Sequence, residues 1–518
     1  MSQNWSLWRT VPLTTLFAEQ QKKTGLKKNL GPVDLVALGV GAIIGTGIFV
    51  MTGVAASQFA GPGLVFSFIL AGIAAGLAAL VYAELASTIP VAGSAYTYTY
   101  AVLGEFVAWT VGWSLILGYM VAGGAVAIGW GAYVVEFLRS VDVLLPAVLV
   151  NPPAAGGILN LPAMAVALLV TVLTVRGTHQ TKTLTKIAVL IKLAVIVLFI
   201  AVGAQFIDPA NWSPFLPFGL LGIVQGAAII FFAYIGFDAV ATAAEESRKP
   251  QRDLPLGIIG SLLIATVLYI AVTVILTGLV PYTQLNTASP VATALMRAGI
   301  PMAGSVVAVG ALAGITSVLL VTVYAQSRIF FAMSRDGLIP EVFSRVHTRF
   351  RTPYISVLTV GAVVMLTAGL LPIHVIAQVA NIGTLAVFVI TSVGVLVLRR
   401  TRPDLPRTFK APGFPWTPLL AIAASAYLIV NLPSSSWVQF AAWMSAGILI
   451  YFLYGYRRSK LAPGGNPPGW RNLLAAPAVR PGSPPPRERK PGMTPGNLGA
   501  GLPQPGRQYM IRGVWPAT

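Results

Sequence analysis

The chain has 518 residues, of which 56% are hydrophobic and only 9% are charged. A soluble domain carries about 25% charged residues, so this chain cannot cover a water-facing surface and its solvent is expected to be largely lipid. The absence of cysteine and the wide separation of the only three histidines, His179, His347 and His374, exclude a disulfide framework, a thiolate metal site and a close-spaced histidine pair.

Residues 1–30 are polar and end in the basic stretch Lys22-Lys23 to Lys27-Lys28, which is not the pattern of a cleavable signal peptide. Apolar runs long enough to span a bilayer then lie near 33–56, 62–87, 101–137, 161–176, 185–204, 218–243, 256–280, 303–333, 355–371, 374–398, 416–432 and 437–456. Twelve spanning helices are therefore expected, in a transporter domain over 31–456. Two repeats are expected at about 31–204 and 218–398, with two extra helices at about 416–456. The third run is long enough to tilt or to include an interfacial piece. The tail, 457–518, is basic and rich in Pro and Gly, as in Pro484-Pro485-Pro486. It is expected to be disordered and, lying beside the membrane, to touch anionic lipid.

The net charge of +19, from 34 Lys+Arg against 15 Asp+Glu, would suggest nucleic acid in a soluble protein. Here the basic residues alternate between sides. One side collects the N-terminal lysines, Arg176, Lys182 and Lys186, the run Arg248-Lys249 with Arg252, the arginines from Arg328 to Arg351, Arg399 to Lys410, and the tail. The other holds only Arg139 and Arg297. By the positive-inside rule both termini are expected in the cytoplasm, in a cell membrane and most simply a bacterial inner membrane, and the charge excess needs no nucleic acid.

Inside the first span lies Gly39-Val40-Gly41-Ala42-Ile43-Ile44-Gly45-Thr46-Gly47. Glycine costs about 1 kcal/mol in a helix interior, so this cluster either opens the helix or lets a neighbour pack closely. The sixth span carries Phe231-Phe232-Ala233-Tyr234-Ile235-Gly236-Phe237-Asp238, where aromatics, a glycine and an intramembrane acid meet. Breaks at matching places are the mark of an inverted repeat, and a repeat of five spans must place its second copy upside down. The outer half of span one would then begin at Gly45-Thr46-Gly47 with free N–H groups that favour a carboxylate. The outer half of span six would end near Phe232-Ala233 with carbonyls that can accept from an ammonium. Such a site fits the zwitterionic part of an α-amino acid.

These residues resemble the amino acid–polyamine–organocation superfamily, and most of all the bacterial branch of its cationic amino acid transporter subfamily. The run Glu245-Glu246-Ser247-Arg248-Lys249-Pro250-Gln251-Arg252 and the stretch Ala332-Met333-Ser334-Arg335-Asp336-Gly337 carry the same resemblance, which covers roughly 28–456. It implies an all-α membrane protein with a five-plus-five inverted repeat, broken helices one and six, and alternating access to a central site. It also implies that Ile43, Gly45, Thr46 and Gly47 handle a substrate carboxylate, while Phe232, Ala233 and Ile235 offer carbonyls to the amino group. One departure stands out. Where bacterial relatives carry two acids in span three, this chain reads Gly112-Trp113-Ser114-Leu115-Ile116-Leu117-Gly118-Tyr119.

Lys192 lies deep in span five with no charge near it in sequence. An intramembrane charge is costly and is a functional candidate by default. The resemblance puts this lysine where sodium-coupled cousins hold sodium, bridging span one and span eight near Thr316 and Ser317. Asp238 is expected to cap the break or relay protons. Glu84 is expected at a gate or interface, and Glu245 and Glu246 with Arg248, Lys249 and Arg252 either form inner-gate pairs or a solvated loop face. Gly118, Ala122, Gly123 and Leu319 would form a roomy, dry specificity pocket.

The expectation is therefore a proton-coupled, sodium-independent amino acid permease with a preference for neutral amino acids. Its partners would be the amino acid, protons and lipids, and no cofactor or metal is expected. An exchanger, a cationic amino acid transporter and a non-transporting amino acid sensor are the alternatives. An enzyme is not expected, because neither a cysteine nor clustered histidines are available for catalysis.

Overall fold

The computed structural model describes residues 7–12, 30–91 and 93–462. The expectations for most of the N-terminal segment and the tail from 463, and for the side chain of Glu245, lie outside these described residues. Among the described residues every regular element is helical, and eight helices are long and apolar enough to cross a membrane. Three shorter apolar helices accompany them: Leu161–Arg176, Tyr354–Leu370 and Trp416–Val430.

Helix α1 (Pro32–Ile43) starts with proline at its first turn and with Gly31 N–H bonded to the Asp34 carboxylate at 3.0 Å. It stops at Ile44, whose backbone is extended. The chain resumes as a helix with wide turns over Gly47–Met51, Thr52–Ala55 and Ala56–Ala60. Gly61, at φ +60°, then reverses it into α2 (Leu64–Thr88). The expected third run, 101–137, lies almost wholly in one helix, and a separate short helix precedes it. Gly104, at φ +102°, separates the short α3 (Ser94–Val102) from the 36-residue α4 (Glu105–Ser140). A side chain at Gly104 would also meet the Trp8 backbone at 2.9 Å, so glycine is needed there twice over.

Helix α5 (Leu161–Arg176) is capped by the Asn160 side chain, which accepts from Ala163 N–H at 3.2 Å. Helix α6 (Thr178–Gly203) follows, then α7 (Gly219–Ile230). After α7 come a tight turn over Phe231–Tyr234, an extended Ile235, Gly236 at φ +120° and the short α8 (Ala239–Thr242). Beyond lie α9 (Pro250–Leu279), α10 (Pro290–Arg297) and the 35-residue α11 (Pro301–Arg335). Helices α12 (Tyr354–Leu370), α13 (Ile373–Thr401), α14 (Trp416–Val430) and α15 (Ser434–Ile450) complete the set.

The two longest helices, α4 and α11, pack along each other at the centre, with α2 against α9 and α13 against α4. Helix α15 docks on α4 through stacked tryptophans. The Trp113 and Trp443 rings lie 4.7 Å apart, and each indole N–H donates to the other's carbonyl, at 2.8 and 3.0 Å. Polarity runs inside out. Leu190, Leu220, Leu263, Val438 and Leu453 are well exposed on the outer faces, while Glu84, Glu105, Lys192 and Asp238 are fully buried. A water-soluble protein rarely buries so much charge while baring leucine in this way, whereas lipid makes it the natural arrangement.

Candidate functional site

The two interruptions meet at the centre of the helix bundle. A Cβ placed on Gly47 would stand 2.3 Å from the Ala233 Cα, and one on Gly236 would stand 2.9 Å from the Ala42 carbonyl oxygen. Glycine at both positions is what lets the two broken backbones touch. Around this contact is a cavity lined by Ile43, Gly45, Thr46 and Gly47 from the first break and by Phe232, Ile235, Gly236 and Ala239 from the second. Tyr119, Ala122 and Val126 of α4 and Val318, Val321 and Thr322 of α11 close it. It measures about 20 Å³ at the centres of water-sized spheres, room for roughly one water. A larger guest enters only if side chains such as Phe232 move.

The backbone groups at this centre are unequally occupied. The helix that resumes at Gly47 presents first-turn amides with no intrahelical acceptor, and the Ile48 and Phe49 N–H groups turn back to the Gly45 carbonyl, both at 3.1 Å. The Thr46 hydroxyl donates to the Val126 carbonyl at 3.3 Å. On the facing side the Phe232 carbonyl accepts from Ile235 N–H at 3.3 Å. The Tyr269 hydroxyl, from α9, lies 2.9 Å from both the Ile43 and the Ala233 carbonyls and is shared between the two breaks. Asn381 of α13 donates to the Ala228 and Ile229 carbonyls at 2.9 and 3.0 Å, which satisfies the end of α7.

Lys192 reaches the first break from α6. Its ammonium donates to the Gly41 carbonyl at 2.9 Å, the Ile44 carbonyl at 2.8 Å and the Ser317 hydroxyl at 3.1 Å. Three N–H donors meet three oxygens, and no carboxylate is among them. Ser317 in turn donates to the Gly314 carbonyl at 2.7 Å. Thr316 turns elsewhere and accepts from the Trp130 indole at 2.9 Å.

Asp238 stands one residue from the cavity lining and is fully buried. One of its oxygens accepts from the Tyr119 hydroxyl at 2.7 Å and the other has no hydrogen-bond partner among the described residues. Glu84 lies away from the cavity. It holds Arg399 through two bonds, of 2.7 and 2.5 Å, accepts from Ala411 N–H at 2.9 Å, and has Arg407 at 3.6 Å. Glu246 accepts from the Tyr324 hydroxyl at 2.6 Å, with Arg328 at 3.8 Å.

Of the four residues read as a specificity pocket, Ala122 lines the cavity. Gly118 faces Thr384, Gly123 faces Val364, and Leu319 is fully buried while its neighbour Val318 does the lining. Ser114 bonds to the Thr110 carbonyl at 2.9 Å and lies against Met444 of α15. The sequence reading missed Tyr119, Tyr269 and Asn381. A buried hydroxyl or amide in an apolar helix must find a partner, so each was a signal, but nothing local says which backbone it reaches. No group of acidic, histidine or cysteine side chains among the described residues could hold a metal ion.

A model of the family described as amino acid permease matches residues 30–454, nearly all of the helical region just described. The chain belongs to the amino acid permease family. It is 46% identical over 461 residues to the branched-chain amino acid permease BcaP of Bacillus subtilis (strain 168), covering 88% of this chain and 99% of that one. It is 44% identical over 458 residues to the methylthioribose transporter of the same organism, with the same coverage of 88% and 99%. The vacuolar cationic amino acid transporter 4 of Arabidopsis thaliana is 40% identical over 387 residues, covering 73% of this chain and 64% of that one. The permease is therefore a multi-pass membrane protein of the superfamily that its motifs resemble, and its relatives are transporters and not enzymes.

Proposed function

We propose that this permease is a secondary transporter of neutral amino acids, sodium-independent and coupled to protons through Lys192, working by alternating access with both termini in the cytoplasm of a bacterial cell. Twelve spans follow if the 57-residue stretch Pro32–Thr88 counts as two, since Gly61 reverses the chain within it. A five-plus-five repeat is supported by helix lengths that run in parallel. From α1 to α6 they are 12, 25, 9, 36, 16 and 26 residues. Over α7 and α9 to α13 they are 12, 30, 8, 35, 17 and 29.

The observation that carries the reading is the Lys192 ammonium against the first break. Its three donors are all used, and they tie α6 to the end of α1 and to α11. A neutral amine has two N–H groups for the same three oxygens, so loss of the proton removes one donated bond: either a tie is released, or the Ser317 hydroxyl turns from the Gly314 carbonyl to donate to the amine. In the first case, gain and loss of a proton would tighten and loosen the break that binds substrate. A fixed ammonium also supplies the charge that sodium would otherwise bring, which supports sodium independence.

The substrate carboxylate would take the amides of Gly45, Thr46 and Gly47, with Ile43 beside them. The ammonium would face the second break at Phe232, Ala233 and Ile235. Two of those carbonyls already accept bonds within the chain, so the ammonium competes with Tyr269 for Ala233. Ala122, Val318 and Val321 offer the side chain an apolar wall. The lining holds no charged residue, and Asp238 is screened by Tyr119. A cationic side chain would pay for desolvation with no counter-ion. A branched-chain substrate, as in the Bacillus permease, agrees with this wall, whereas the cationic amino acids of the Arabidopsis relative would argue against it.

Purified protein in sodium-free liposomes tests the proposal. Labelled leucine should accumulate in the lumen in excess of bound label and be released by detergent. Binding without luminal accumulation would mean a sensor.

A further inference from the structure

A second and larger cavity lies one helical turn beyond the central one along both broken helices. Its floor is Met51, four residues past Gly47, and Ile229, three residues before Phe232. Val54 and Phe59 form an apolar wall, and Gln58, His374 and Gln378 supply the polar groups. It measures about 190 Å³ at the centres of water-sized spheres, against about 20 Å³ for the central cavity. Met51 and Ile229 are buried while Gln58 and His374 are exposed, so the cavity deepens from a polar rim to an apolar base.

Three features mark it as a site. On α13 the polar residues His374, Gln378 and Asn381 follow one another at spacings of four and three, a single helical face that leads from the rim to the end of α7. Gln58, His374 and Gln378 make no side-chain hydrogen bond to any described residue. Each amide offers a donor and an acceptor, and so does a neutral imidazole. Finally, the segments that build the walls, Gly47–Met51 through Ala56–Ala60, Gly219–Ile230 and the opening turns of α13 to Asn381, contain no acidic residue, lysine or arginine.

We infer that this cavity is a second, entrance subsite for a neutral amino acid, which rests there on Gln58, His374 and Gln378 before passing Phe232 into the central cavity. Amide and imidazole groups serve both ends of a zwitterion, and Met51, Val54, Phe59 and Ile229 cover an aliphatic side chain. A cationic side chain finds no carboxylate here. The inference rests on the transport reading only for the identity of the ligand.

The chain has no cysteine, so a thiol introduced by Gln378→Cys is the only one present. The purified variant in nanodiscs is reacted with a membrane-impermeant thiol reagent at increasing leucine concentration, alone and combined with Gly45→Ala. A Cβ added at Gly45 would stand 2.5 Å from a Val318 methyl and crowd the central cavity. The subsite predicts that leucine slows labelling at least threefold in both proteins, and that lysine does so less. Protection that vanishes with Gly45→Ala would show a shape change driven from the central cavity and overturn the inference, as would labelling that leucine never slows. Leucine uptake by the cysteine-free protein is measured in parallel, so that failed transport and a missing subsite are separate results. As a second readout, Gln58→Leu with Gln378→Leu should raise KM for leucine about tenfold with little change in kcat. A fall in kcat at unchanged KM would count against an entrance role.

Discussion

The Tyr269 hydroxyl sits 2.9 Å from the Ala233 carbonyl and at the same distance from that of Ile43, so one side chain spans both helix breaks. Tyr269→Phe keeps the ring packing on Phe68 and Tyr234, at 5.4 Å each, and removes only this bridge. A buried carbonyl that loses its donor costs about 1–3 kcal/mol. A lower Tm by thermal shift and a roughly tenfold weaker leucine affinity, equivalent to about 1.4 kcal/mol, are expected. An unchanged affinity would show that the bridge plays no part in shaping the site.

Gly47→Ala should abolish leucine binding, because the new Cβ has no room beside the Ala233 backbone. Gly76→Ala is the matched control, since nothing lies within 4 Å of its Cβ. Both variants should insert in the membrane, as judged by yield and gel filtration, and only the first should lose binding. Equal binding by the two would contradict the placement of substrate at the first break.

Glu84 is fully buried and paired to Arg399, whose side chain is 17% exposed. Breaking such a pair costs about 3–5 kcal/mol when both partners are buried, and the partial exposure of Arg399 points to the lower end. Glu84→Gln should therefore lower Tm clearly while the leucine Kd of the folded fraction stays within about twofold, because Glu84 does not line the cavity. A stable variant with a much altered Kd would make Glu84 a gate rather than a fastening between α2 and α13.

The sequence pointed to the breaks only as a pair: the glycine cluster of span one fits close helix packing as well as an opened helix, and the glycine beside an acid at the matching place in span six is what favours breaks. It also showed Lys192, because a lone charge in lipid announces itself. What it did not show is where side chains point. Gly118 and Ala122 are one turn apart on the same face of α4, yet only Ala122 reaches the cavity, because one turn along the helix that face already meets Thr384 of α13. The partners of Tyr119, Tyr269 and Asn381 are on other helices 119, 36 or more, and 152 or more residues away. Local pattern carries no trace of such pairings. Helix α3 was missed for another reason: Ser94 to Val102, with alternating tyrosine and threonine, is too short and too polar to read as a span.

Selectivity follows from the uncharged lining and from Tyr119 in front of Asp238. In competition against labelled leucine, valine and isoleucine should compete within about 200-fold of each other, since the one methylene between them is worth about 1–3 kcal/mol in an apolar pocket, and alanine, smaller still, should compete less well than either. Arginine and lysine should compete far less well. Tyr119→Phe removes the hydroxyl bonded to Asp238 and should narrow that gap by leaving the acid free to meet a cation. Arginine outcompeting alanine in the wild type would refute the neutral preference.

The most direct test is leucine uptake into sodium-free liposomes under an imposed pH gradient, with wild type and Lys192→Met side by side. The account predicts uptake by wild type that rises with an inward proton gradient and collapses with a protonophore. It predicts that Lys192→Met, still able to bind leucine, loses the response to the gradient. An absolute need for sodium in the wild type, or an unchanged pH response in Lys192→Met, would contradict proton coupling through Lys192.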